Sequence, residues 1–83
     1  MTGAGTRMFS VYPNPTNGAI TVQADVQGTF TIYTIDSREI SSYNITDVTT
    51  AITLPRELAA GVYLCRFNGS DGSTVMVRLV YEP

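Results

Sequence analysis

From residue 8 to residue 81 the chain alternates apolar and polar residues with a period of two, in runs of five to nine residues broken by clusters of Gly, Pro, Asn and Asp. Only an extended strand turns every second side chain to the same face, so this pattern, with the many Thr, Val, Ile and Tyr, favours a compact β protein over a helical bundle and predicts a sheet with one buried side. Seven strands are predicted, at Met8 to Tyr12, Ala19 to Ala24, Thr29 to Ile35, Arg38 to Asn44, Val48 to Leu54, Gly61 to Phe67 and Ser73 to Tyr81. Strands this short, with a turn signal roughly every ten residues, describe an all-β fold: a seven-stranded antiparallel immunoglobulin-like β-sandwich lacking the usual disulfide. A small barrel is the alternative.

The alternation also predicts the core. Ile20, Val22, Phe30, Ile32, Ile52, Leu54, Tyr63, Cys65, Phe67, Val75, Val77 and Leu79 point inward, while Thr21, Gln23, Thr31 and Thr53 point out. The fourth strand breaks the rule, because Ile40 falls on one face and Tyr43 and Ile45 on the other. It is therefore read as an edge strand or one that shifts register. Pro13 and Pro15 lack backbone donors, so Tyr12 to Pro15 cannot lie inside a sheet. Asn14 is expected to bond backbone close to itself, Asn17-Gly18 to supply a positive φ, and Gln27-Gly28 and Asn68 to Gly72 to form hairpin connections. Between Pro55 and Gly61 there is room for one helical turn, which carries the chain between sheets and sets Leu58 in the end of the core.

Eighty-three residues suffice for one domain, expected over residues 8–83, with residues 1–7 as a linker or expression remnant. The net charge is −2 and every cation is arginine, so there is no basic footprint for nucleic acid. No apolar run reaches the length of a membrane span, and residues 1–7 lack a signal peptide's apolar stretch, so an export signal is expected elsewhere on a longer precursor. Cys65 is the single cysteine and histidine is absent, which leaves a packed thiol as the expectation and gives no support for metal, cofactor or nucleophilic chemistry. The carboxylates Asp25, Asp36, Glu39, Asp47, Glu57, Asp71 and Glu82 fall mostly at turns and ends, without the close pair that acid–base catalysis needs. The chain is expected not to be an enzyme and to need no cofactor.

Three segments carry a resemblance. Pro13-Asn14-Pro15 with Asn17-Gly18 follows the first strand, Leu58, Gly61 and Tyr63 form a Leu-x-x-Gly-x-Tyr corner, and Arg78 stands two places before Val80 in the closing strand. In this order and spacing the chain resembles the C-terminal sorting domain, type A, of Bacteroidetes cargo exported by the type IX (Por) secretion system. The resemblance implies a secretion signal that performs no chemistry, with the type IX translocon and its outer-membrane shuttle and sortase components as partners. It also implies passage through the periplasm to the cell surface, and commonly removal by a sortase-like protease. Pro13, Asn14, Pro15, Gly18, Gly61, Tyr63, Arg78 and Val80 become the recognition candidates, although a role in shaping a turn, corner or strand is the first explanation for the prolines, Asn14, the glycines, Tyr63 and Arg78. Two positions depart from the family pattern: arginine replaces lysine at Arg78, and Ser37 stands where a tight turn usually has glycine.

A docking surface is expected at the Pro13 to Gly18 loop or along an exposed edge including Arg78 to Val80, where an incoming strand could pair. The domain is expected to be a monomer. The competing functions are an adhesive or sugar-binding sandwich using Tyr12, Tyr33, Tyr43 or Tyr81 as stacking platforms, and a passive spacer module.

Overall fold

The computed structural model describes residues 9–83, which form seven strands: β1 (Phe9–Tyr12), β2 (Ala19–Ala24), β3 (Gly28–Thr34), β4 (Glu39–Ile45), β5 (Thr49–Thr53), β6 (Gly61–Gly69) and β7 (Thr74–Tyr81). They make two antiparallel sheets, β1-β2-β5 and β4-β3-β6-β7, packed as an immunoglobulin-like sandwich. The expected start of the first strand at Met8 and the linker over residues 1–7 lie outside the described residues. Every other strand lies within two residues of its expected bounds at either end.

The core between the layers follows the alternation. Ile20, Val22, Phe30, Ile32, Ile52, Leu54, Tyr63, Cys65, Phe67 and Leu79 are buried as expected, and Val75 and Val77 pack half-buried against them. Val11, Ala24, Ile45 and Tyr81 join them. Phe9 ties the layers together at one end, its ring 4.9 Å from Phe67 and 6.2 Å from Phe30. Aromatic pairs at these separations add to the area they bury.

The irregular alternation around Ile40 has its explanation in β4. The register with β3 shifts between Ile32 and Tyr33, so Ser41 opposes Ile32 while Glu39, two residues earlier, opposes Tyr33. The extra residue lets Ile40, Tyr43 and Ile45 all reach the core from an edge strand.

Two expectations are corrected. Gln27-Gly28 does not close a hairpin, because β2 and β3 belong to different sheets and the chain crosses between layers there. Gly28 instead allows close approach: a Cβ on it would collide with the Asn68 carbonyl oxygen. Thr31, expected outside, is buried, for it sits mid-sheet between Ser42 and Arg66 and its hydroxyl lies 3.3 Å from that of Ser42. The Pro55 to Gly61 segment is a single turn, closed by the Leu58 N–H on the Pro55 carbonyl at 3.2 Å, and it leads from one sheet to the other with Leu58 against the core.

Candidate functional site

The segment after β1 leaves its own sheet and lands on the last strand of the other. Tyr12-Pro13 and Asn14-Pro15 are cis peptides, and the loop between them turns Asn14 toward β7. The Asn14 side chain then behaves as a peptide unit of an added strand. Its Nδ2 donates to the Arg78 carbonyl at 2.7 Å and its Oδ1 accepts from the Val80 N–H at 2.9 Å. Two residues on, Thr16 continues the pairing through its backbone: its N–H donates to the Val80 carbonyl at 2.8 Å and its carbonyl accepts from the Glu82 N–H at 2.7 Å. Prolines on either side of Asn14 remove N–H groups that would otherwise need partners here.

Thr16 is itself locked. It is buried, its hydroxyl donates to the Ala19 carbonyl at 2.8 Å and accepts from the Gly18 N–H at 3.0 Å, and Gly18 has φ +132°. The Gly18 backbone approaches Tyr81, whose ring is buried, so the loop closes the sandwich where its two sheets would otherwise part.

The tyrosine corner meets the same strand from its other side. Gly61, Val62 and Tyr63 are the register partners of Tyr81, Val80 and Leu79. Gly61 has φ +148°, and nothing lies within 4 Å of the place a Cβ would occupy, so positive φ and not crowding is what calls for glycine. The Tyr63 hydroxyl donates to the Ala59 carbonyl at 2.5 Å, which fixes the turn before β6.

All eight recognition candidates therefore gather at one end of the molecule, around residues 78–82. Pro13, Asn14, Pro15 and Arg78 are exposed, Gly18, Gly61 and Val80 are half-buried, and Tyr63 is buried. Two expectations change with this geometry. Asn14 reaches across the chain and does not bond its neighbouring backbone, and the edge at Arg78 to Val80 is not open for strand addition because Asn14 and Thr16 already hold its backbone groups. Sequence reasoning also missed Thr16 and Tyr81. A Thr two residues before Gly18, where its hydroxyl can accept the glycine N–H, is the signal that marks Thr16.

Beside this end lies an open cleft of about 450 Å³ lined by Asn17, Gly18, Ala19, Thr53, Leu54, Arg56 and Tyr81. Its walls carry one cation and no carboxylate. Cys65 lies far inside the sandwich, where burial pushes its thiol up to about 12 and keeps it protonated. The four tyrosines considered as stacking platforms do not share a face: Tyr81 is buried, Tyr43 lies against Phe30, and Tyr33 and Tyr12 sit on different sheets.

The sequence profile of the family described as secretion system C-terminal sorting domain matches residues 10–82. No curated protein matches. Among solved structures, the crystal structure of CopC from Methylosinus trichosporium OB3b superposes with a TM-score of 0.51 at 13% identity, over 89% of this chain and 91% of that one. At that identity the likeness concerns the β-sandwich fold.

Proposed function

The chain belongs to the secretion system C-terminal sorting domain family, and from that premise we propose that it is a rigid, non-catalytic address read at the end where Asn14, Tyr63 and Arg78 converge. Family membership implies contact with the type IX secretion machinery and export of the attached cargo to the cell surface or beyond. The observation that carries the reading is the clasp: residues 64 and 66 positions apart in sequence are held by the two side-chain hydrogen bonds of Asn14. Such a clasp presents loop, corner and final strand in one fixed arrangement, so a receptor pays no ordering entropy to read them together.

On this proposal the chain is a type A domain of Bacteroidetes cargo. The precursor crosses the inner membrane by a general export signal, the folded monomeric domain is recognised in the periplasm by shuttle and translocon components, and a sortase-like protease cuts at or before the linker Thr2 to Arg7 and passes the cargo to an anionic lipopolysaccharide. Small, polar residues such as Thr2, Gly3, Ala4 and Gly5 suit a cleavable segment. Blocking of the β7 edge has a second use, since an exported intermediate with an open edge invites strand pairing with its neighbours.

The test is a fluorescent protein fused ahead of the whole chain in a host that possesses the type IX machinery. The reporter is expected at the surface, and in the periplasm when the outer-membrane translocon is inactivated. Periplasmic retention in the intact host overturns the proposal.

A further inference from the structure

The outer faces of the two sheets differ. On β1-β2-β5 the outward positions of β2 and β5 are Ala19, Thr21, Gln23, Thr49, Ala51 and Thr53, mostly the polar pattern of a solvated sheet, with Tyr12 of β1 beside Thr21 as its one large exposed apolar side chain among the described residues. On β4-β3-β6-β7 the register sets Tyr33, Leu64 and Arg78 in one row, Val62 beside Val80, and Arg66 beside Met76. Tyr63, Cys65 and Phe67 point inward between them, which turns Val62, Leu64 and Arg66 out. Val62 is 40% exposed and Met76 52%, while Tyr33, Leu64 and Val80 are half-buried.

Neighbours in such rows are about 5 Å apart, so these side chains form one continuous apolar strip edged by two guanidinium groups. Arg66 lies over the Tyr33 ring, 5.6 Å from its centroid. Neither Arg66 nor Arg78 has an ion-pair partner among the described residues. Asp25, Asp36, Asp47, Glu57, Asp71 and Glu82 lie outside the four strands, in turns or at the chain end, and Glu39 stands opposite Tyr33 on the outermost strand. Two of the five arginines thus stand on this apolar face, Arg66 and Arg78, with Glu39 at the outer end of the Tyr33 row.

Arginine, methionine and tyrosine are the residues that protein interfaces favour, and arginine gives up its hydration more readily than lysine. The face also adjoins the clasp, since Arg78 and Val80 hold Asn14 through their backbone. We propose that the outer face formed by Tyr33, Val62, Leu64, Arg66, Met76 and Arg78 docks a folded protein of the export machinery whose matching surface carries apolar side chains edged by Asp and Glu carboxylates. This rests on the address function proposed above. The carboxylates pair with Arg66 and Arg78, and the apolar strip gains affinity from water released on contact.

The experiment uses the reporter fusion with three variants: Val62→Thr with Met76→Thr, which keeps strand-compatible residues but removes the apolar strip; Arg66→Gln; and Ala51→Glu on the opposite sheet, which changes net charge by the same amount as Arg66→Gln. Thermal melts accompany each. The Thr pair is expected to lower surface reporter about tenfold and Arg66→Gln several-fold, with Ala51→Glu at the parent level. If the Thr pair does not fold, Arg66→Gln against Ala51→Glu decides. Parent exported with both face variants exported equally well overturns this inference and leaves the address reading standing; parent retained in the periplasm overturns both. Sedimentation covers the other occupant: a concentration-dependent dimer of the parent chain that Met76→Thr makes monomeric would assign the face to a second copy and overturn the proposal.

Discussion

Replacing Asn14 with Ala removes two hydrogen bonds and nothing from the core, which makes it a clean probe of the clasp. Each bond contributes about 0.5–1.5 kcal/mol net, and at this exposed site water takes over the orphaned Arg78 carbonyl and Val80 N–H, which favours the low end. The expected loss is about 1–2 kcal/mol. For a domain of this length each kcal/mol moves Tm by about 4–8 °C, so a fall of about 4–16 °C is expected in a calorimetric or circular-dichroism melt. Amide hydrogen exchange locates the effect: the Val80 N–H loses its acceptor, and its exchange should accelerate well beyond that of core amides such as Cys65, which lies mid-strand between two paired strands. A Tm within 1 °C of the parent together with unchanged Val80 exchange would refute the idea that Asn14 substitutes for a strand.

Ser37 sits at φ +74° in the turn closed by its N–H on the Thr34 carbonyl at 2.9 Å, a conformation that costs a non-glycine residue about 1–2 kcal/mol. Ser37→Gly relieves this and gives back about 0.4–1 kcal/mol through the looser unfolded chain, so Tm should rise by a few degrees, and a fall would contradict the strain argument. Tyr63→Phe deletes the bond to Ala59 and should cost about 1 kcal/mol in a urea titration with an unchanged m-value; a neutral result would mean the ring alone sets the corner. Burial raises the Cys65 thiol to about 12, so above pH ~8.5 the unfolded chain releases this proton while the folded chain keeps it. Stability must then fall with rising pH, by up to about 1.4 kcal/mol per unit, and parallel pH–stability curves for the parent and Cys65→Ala between pH 8 and 10 would rule this out.

The strands, most of the core and the single turn before Gly61 were legible because each is a local pattern: a period of two, a glycine at a positive-φ corner, a proline at a strand end. Partners across the chain were not. Asn14 bonds atoms more than sixty residues away, and nothing near it in sequence distinguishes that role from an ordinary turn asparagine. The crossing at Gln27-Gly28 was misread for a related reason, since a turn signal reports that the chain bends and not which sheet it enters. Tyr81 looked like a strand-end aromatic available to solvent, and only the arrival of Thr16 and Gly18 covers it. The apolar outer strip went unseen, because Tyr33, Val62, Leu64 and Met76 come together with Arg66 and Arg78 only through the pairing of β3, β6 and β7.

The export ratio of two reporter fusions with equal stability but different clasps tests the address most directly. Asn14→Ala opens the read end, whereas Ile52→Val trims a buried methyl in the other sheet at a comparable cost of about 1 kcal/mol. Surface-to-periplasm reporter is predicted to drop about tenfold for Asn14→Ala and to stay at the parent level for Ile52→Val. Equal ratios for the two would contradict the claim that the machinery reads the end where loop, corner and last strand meet.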